Sequence, residues 1–237
     1  MDIGNPIVIL AIMLSIFMLI GGCIHRSGCR LCGFGREETL PLRGLMALLV
    51  VFGHLTIRTG HQFVLLEIFH WATPSVAVFF FLSGYGLFKS HSARKSEAVG
   101  VAYWVRFVAR SLVKLLPSVF LVGFSLWMFR VATGTASDET VWVPAVRNCV
   151  LSFHDWFVWT LLLFYVLFAL SFAVAGTARG ILPVSVGVCA YWFVSRHVLG
   201  IQSYWWVTCF AFPVGLLFSR FEAAILNVVS RKGLVVP

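Results

Sequence analysis

The sequence predicts an all-α protein, a polytopic transmembrane helical bundle of about seven spans with its N-terminus outside and its C-terminus in the cytoplasm. Composition is the first reason. Hydrophobic residues make up 60% of the 237 residues, charged residues make up 11%, and the mean hydropathy is +0.94. Soluble domains carry about 25% charged residues. This chain therefore has too few polar side chains to cover itself in water, and we expect the lipid bilayer to be its solvent.

Long apolar runs are the second reason. A helix that crosses the hydrocarbon core needs ~20 mostly apolar residues. The runs here are continuous and do not alternate with a period of two, which favours helices over strands. The candidate spans are residues 6–22, 44–57, 71–88, 112–132, 156–175, 181–198 and 203–218.

The distribution of Lys and Arg is the third reason, and it predicts the orientation. If the seven spans alternate in direction, one set of helix ends carries all but four of the 18 Lys and Arg residues. The opposite ends carry only Arg58, Arg130, Arg147 and Arg196. Basic residues mark the cytoplasmic side of a membrane protein. The net charge of +9 is therefore interpreted as a consequence of topology and not as a sign of nucleic-acid binding.

Cysteines cluster only near the end of the first span. Cys23, His25, Cys29 and Cys32 match zinc ligands by residue type. One CxxC without a second pair is also typical of a cytoplasmic loop with reduced thiols. We therefore expect no metal site here.

Arg43 and His54 stand at the two ends of an uncharged segment, RGLMALLVVFGHL. On a helix, eleven steps of 1.5 Å place them ~16 Å apart, and eleven steps of 100° bring them to nearly the same face. Ionisable residues within a span are usually functional, which favours a groove with Arg43 at its cytoplasmic mouth and His54 deeper. The alternative is that Arg43 snorkels to the interface while His54 is a neutral histidine bonded to a backbone carbonyl.

A second motif closes the Phe-rich run FFFLSGYGL. Its glycines permit close helix packing or a local break, and Ser83 can form a hydrogen bond across helices. Both a packing patch and a ligand contact are compatible with Ser83 and Gly84.

A third motif is the basic stripe, which we define as Arg106, Arg110 and Lys114. These residues recur every four positions on a predicted helix that enters the membrane. Such a stripe either anchors anionic lipid headgroups or clamps the phosphates of an anionic substrate such as coenzyme A.

Together the three motifs resemble the membrane-bound acyltransferase 3 family. The likeness lies in LRGLMALLVVFGHL, FFFLSGYGL and RSLVKLLP, in the family's order and spacing over residues 42–165. The resemblance implies a multi-pass plasma-membrane enzyme without a metal. It would move an acyl group, most often acetyl, from cytoplasmic acyl-CoA to a hydroxyl of a cell-surface glycan or a lipid-linked sugar.

The resemblance also implies roles for individual residues. His54 matches the family's essential histidine and would act as a general base on the acceptor hydroxyl, or would relay the acyl group. Arg43 matches the paired basic residue and would meet the CoA phosphates or steady the thioester. The residues expected to bind the donor are Arg106, Arg110, Lys114, Ser83 and Gly84.

The sequence departs from the family pattern at several points. Leu161 stands where many members carry Glu, and Ser111 stands where Arg is frequent. Members are usually longer, so we expect a C-terminally shortened member. The expected parts are an extra N-terminal helix (1–24), a cytoplasmic linker (25–41), a partial acyltransferase-3-like domain (42–220) and a cytoplasmic tail or the start of a missing helix (221–237).

Other interpretations stay open at this stage. The chain could be a transporter or flippase, although its spans show no paired carboxylates and no repeated broken helices, or an inactive truncated relative. Polar residues predicted on the outer side either line an acceptor site or are solvated loop positions. These residues are His61, His70, Asp138, Glu139, His154 and Asp155.

Overall fold

The computed structural model describes residues 36–59, 72–93, 100–132 and 156–231. The chain divides into two compact units, residues 1–75 and 76–237. Within the described ranges every regular element is helical and no strand occurs. The predicted all-α class is therefore confirmed for this part of the chain.

Six α-helices account for most of the described residues. They are α1 (Arg36–Thr59), α2 (Ala72–Ser92), α3 (Val101–Ala132), α4 (Trp156–Arg179), α5 (Ile181–Phe193) and α6 (Ala211–Arg231). A π-helical turn, Val194–Val198, extends α5, and a short 3₁₀ helix, Ser203–Trp205, precedes α6.

Among the described residues, two helical segments are long and apolar enough to cross a membrane, Trp156–Thr177 and Ile181–Val198. They correspond to the fifth and sixth predicted spans. The first predicted span, residues 6–22, lies outside the described residues. The total of seven spans and their orientation remain predictions.

Helix boundaries differ from the predicted spans because a helix does not end where its apolar run ends. The helix α1 begins at Arg36, inside the predicted linker, and α6 continues to Arg231, well beyond residue 220. Both helices therefore continue into segments that carry polar and charged residues.

Phenylalanine rings form the core of the second unit. Phe80 of α2, Phe164 of α4 and Phe212 of α6 are fully buried. The ring of Phe164 lies 5.5 Å from that of Phe80 and 5.2 Å from that of Phe212, centroid to centroid. Aromatic pairs at such distances contribute ~0.5–1.5 kcal/mol each beyond their area burial. These contacts join three helices that are far apart in sequence.

Aromatic residues also gather at the N-terminal end of α4. The Trp156 ring lies 5.5 Å from Tyr204 and 6.0 Å from Trp205. Nearby, the Tyr191 hydroxyl donates a 3.0 Å hydrogen bond to the Trp205 carbonyl oxygen. From Trp156 to Thr177 a helix rises ~32 Å, about the thickness of the hydrocarbon core. Trp and Tyr are enriched at membrane interfaces, so this aromatic end is suited to one membrane surface.

Candidate functional site

A cavity of about 520 Å³ lies within the second unit, between the end of α2, the first half of α3 and the middle of α4. Its volume falls in the range of about 300–1,000 Å³ that is typical of small-molecule sites. Ser90 and His91 of α2 form one wall. The other walls come from α3 and from Tyr165 and Phe168 of α4.

The basic stripe lines this cavity. Arg106, Arg110 and Lys114 all contribute to its surface, and all three side chains are exposed. Along α3 the stripe extends ~12 Å, since eight residues separate its ends. The three basic residues that the sequence places on one helix face therefore form a positively charged wall of the cavity.

These cations have no carboxylate beside them in the described part of the second unit. Glu222 is the only Asp or Glu in the described ranges between residues 76 and 231. Its carboxylate forms an ion pair with Lys89, at 3.1 Å from Nζ. The cavity consequently carries an excess of positive charge, which favours an anionic ligand.

Aromatic rings form the apolar part of the cavity. Tyr103 and Phe107 of α3 face it together with Tyr165 and Phe168 of α4. The Phe107 ring lies 6.2 Å from Tyr165 and 5.9 Å from Phe168. Rings beside cations suit a ligand that combines phosphates with a flat heterocycle.

Ser111, where the resemblance leads us to expect Arg, also lines the cavity. Its hydroxyl donates a 2.9 Å hydrogen bond to the Phe107 carbonyl oxygen, one turn earlier in α3. The side chain is buried, with 9% of its surface exposed. Ser111 therefore adds no charge to the wall.

His91 is a cavity residue that the sequence did not single out. It is buried, with its Nε2 at 3.1 Å from Thr177 Oγ1 on α4. Its ring packs against Trp104 and Phe172, at 5.3 Å and 5.2 Å between centroids. In the sequence His91 follows an apolar run and lies near a lysine. This local pattern is also typical of a solvent-exposed histidine at the end of a helix, so the sequence alone does not identify it. The contacts with α3 and α4 assign it to the cavity.

Ser83 and Gly84 are not among the residues that line this cavity. Gly84 faces α6, where a Cβ at its position would overlap the carbonyl oxygen of Phe212. The sequence left two interpretations open for Gly84, a packing patch and a ligand contact. Its surroundings are those of close helix packing.

Arg43 and His54 both lie in α1, which is a continuous helix from Arg36 to Thr59. The helical geometry that places them ~16 Å apart on one face therefore holds for the backbone. Arg43 is half-buried, and its Nε is buried without a hydrogen-bond partner among the described residues. The side chain of His54 lies outside the described part of the structure.

Other candidate residues fall outside the described ranges. They are Cys23, His25, Cys29, Cys32, His61, His70, Asp138, Glu139, His154 and Asp155. Among the residues that are described, no group of three or more His, Cys, Asp or Glu side chains is placed to hold a metal ion.

Leu161, where the resemblance leads us to expect Glu, is buried with 4% of its surface exposed. Tyr165, one turn later in α4, lines the cavity. The apolar side chain at 161 is thus part of the packing of α4.

Comparison with known proteins assigns the chain to a family. A family model described as an acyltransferase domain, acyltransferase 3, matches residues 42–236. No curated protein and no solved structure gives a match. The matched region contains the whole cavity, the basic stripe, and Arg43 and His54 of α1. On this evidence the chain belongs to the acyltransferase 3 family of membrane proteins.

Proposed function

We propose that this protein is a membrane O-acyltransferase that uses cytoplasmic acyl-CoA as its donor, with acetyl-CoA as the expected form. The acceptor is a hydroxyl group of a cell-surface glycan or of a lipid-linked sugar. Membership of the acyltransferase 3 family supports the reaction type.

The observation that carries the proposal is the combination of cations and aromatic rings in one cavity. Coenzyme A bears a 3′-phosphate, a pyrophosphate and an adenine ring. Arginine binds phosphate oxygens in a bidentate manner, so Arg106 and Arg110 are suited to the phosphates, with Lys114 as a further cation. Tyr103 and Phe107 on the same helix offer rings on which adenine can stack.

The reaction that these residues would support is a transfer of an acyl group from sulfur to oxygen. His54 removes the proton of the acceptor hydroxyl as its oxygen attacks the thioester carbonyl carbon. The new C–O bond forms, the C–S bond breaks, and the departing CoA thiolate takes up the proton from the His54 imidazolium. Arg43, on the same face of α1, steadies the donor at its phosphates or near its thioester.

Binding of CoA to the full chain in lipid nanodiscs tests the donor site. We expect Arg110→Gln to weaken CoA binding about tenfold, because a charge-assisted hydrogen bond contributes ~1.5–3 kcal/mol. Arg179→Gln is the matched control, since Arg179 is exposed and lies outside the cavity lining.

Two results would contradict the donor assignment. One is equal CoA affinity in the Arg110→Gln variant, the Arg179→Gln variant and the parent. The other is an Arg110→Gln variant that loses affinity for anionic lipid vesicles only, which would identify the stripe as a lipid anchor.

A further inference from the structure

The last turn of α2 connects the donor cavity with a contact between α2 and α6. Ser90 and His91 line the cavity, while the preceding residue, Lys89, binds Glu222 of α6. Three consecutive residues thus face two different neighbours. Lys89 is therefore next in the chain to two residues of the cavity wall.

Glu222, Lys89 and Tyr85 form a closed hydrogen-bonded group, which we call the latch. The Tyr85 hydroxyl donates to Glu222 Oε1 at 2.7 Å. The Lys89 ammonium donates to the Tyr85 oxygen at 2.6 Å, to Glu222 Oε2 at 3.1 Å and to Glu222 Oε1 at 3.3 Å. Exposed ion pairs contribute little. In the latch the Lys89 side chain is 44% exposed, but the Glu222 side chain is only 15% exposed, so the network is buried on the side of Glu222.

The contact around the latch allows the two helices little freedom. A Cβ at Gly84 would overlap the Phe212 carbonyl oxygen, and a Cβ at Gly215 would overlap the Phe81 carbonyl oxygen. Gly215 and Glu222 are seven residues apart, which is two turns on the same face of α6. Close backbone packing therefore sets the register in which Glu222 meets Lys89.

The opposite side of the same turn is fixed to α4. His91 Nε2 lies 3.1 Å from Thr177 Oγ1, and Phe88 contacts the Phe172 ring at 6.1 Å. The end of α2 is thus held by α6 on one side and by α4 on the other. Its cavity-facing residues stand opposite the basic stripe of α3.

From these contacts we propose that Glu222 is a positioning residue for the donor cavity. It acts through Lys89 and Tyr85 to hold Ser90 and His91 in place against the bound donor. This inference rests on the proposed function in one respect, since the ligand of the cavity is taken to be acyl-CoA. The coupling between the latch and the cavity wall stands on the geometry alone.

The test measures CoA affinity and the kinetic constants of acetyl transfer for the full chain in nanodiscs. Glu222→Gln keeps the shape of the side chain but removes the charge that holds Lys89. We expect the KM for acetyl-CoA to rise about tenfold with kcat little changed, as for the loss of one charge-assisted contact. Phe221→Leu is the control, because its ring is 49% exposed and forms no part of the latch.

A charge swap separates positioning from simple loss of stability. Combining Lys89→Glu with Glu222→Lys restores an ion pair with reversed partners. We expect each single substitution to weaken CoA binding. The double substitution should recover most of the lost CoA affinity. An unchanged KM in Glu222→Gln, or tighter CoA binding because Lys89 is released, would overturn the inference.

Hydrogen exchange tests the latch without any ligand. In Glu222→Gln, the amides of residues 87–92 should exchange faster than in the parent, while α5 exchanges as before. If the parent protein bound no CoA, the proposed function would be wrong. The exchange rates of residues 87–92 would still show whether Glu222 holds this turn of α2 in place. Unaltered exchange there would refute it.

Discussion

His54 is the residue on which the proposed chemistry depends. The reaction needs a group that accepts a proton from a hydroxyl near neutral pH, and an imidazole is the side chain best matched to that task. Arg43 lies ~16 Å away along the same helix face. A donor that is long, with phosphates at one end and a thioester at the other, suits such a separation.

Replacing His54 with Ala should abolish acyl transfer while CoA binding is retained. Loss of a general base costs about 10²–10⁴-fold in rate, which is measured as transfer of labelled acetyl from acetyl-CoA to a glycan acceptor. His197→Ala serves as the control, because His197 is exposed and lies on the π-helical turn after α5. Parental rates in His54→Ala would contradict the catalytic assignment.

His91 lies inside the cavity, and its role there is expected to be binding. His91→Ala removes a ring that packs on Trp104 and Phe172, and so takes away part of the cavity wall. The expected result is a higher KM for acetyl-CoA with kcat largely kept, determined from initial rates. A loss of kcat equal to that of His54→Ala would instead place His91 in the chemical step.

At the scale of single elements, α2 and α6 approach each other through glycine. Apolar side chains gain little from leaving lipid, so helices in membranes associate through close packing and polar contacts. Gly84 and Gly215 provide the close packing, and the latch of Tyr85, Lys89 and Glu222 provides the polar contact. Both lie on one contact surface.

Substituting Gly84 with Ala should destabilise the protein, because the added methyl group has no room beside the Phe212 carbonyl. Overpacking of this kind costs ~1–3 kcal/mol, seen as a lower midpoint of thermal unfolding in detergent. Gly86→Ala is a close control two residues away, since nothing lies within 4 Å of its added Cβ. Equal midpoints for the two variants would show that α2 and α6 do not meet at Gly84.

At the scale of the whole molecule, the described part of the second unit has two distinct polar and aromatic regions. The cationic cavity is lined by residues near one end of α2 and α3, while Trp156, Tyr204 and Trp205 gather at the start of α4. Exposed apolar side chains such as Val113, Phe120 and Val174 suit contact with lipid acyl chains. This arrangement fits the proposed binding of an anionic donor in the cationic cavity.

Salt should weaken donor binding without slowing the chemical step. The cations of the stripe are exposed, so added salt screens their attraction for CoA phosphates; the Debye length falls from ~10 Å at 0.1 M to ~3 Å at 1 M. We expect the KM for acetyl-CoA to increase with salt while kcat stays nearly constant, in initial-rate measurements. Arg110→Gln should show a shallower dependence, and an identical slope would argue against phosphate binding at Arg110.

The sequence by itself determined the helical class, the bilayer as solvent and the family. Each of these depends on properties that are local or periodic: apolar composition, run length, and the order of short motifs. The same is true of the stripe, because a spacing of four residues places Arg106, Arg110 and Lys114 on one helix face wherever the helix lies. The sequence also predicted the presence of an Arg–His pair on one helix, and α1 contains both residues.

Only the tertiary structure decided which of these residues share a cavity. His91 and Tyr165 are 74 positions apart in the printed sequence and line the same space, and Glu222 meets Lys89 across 133 positions. Such pairings depend on how helices pack, which is set by ring contacts and by the close approach at Gly84 and Gly215. The residue pattern of one helix does not predict which residues of a second helix contact it, because packing depends on the surfaces of both helices.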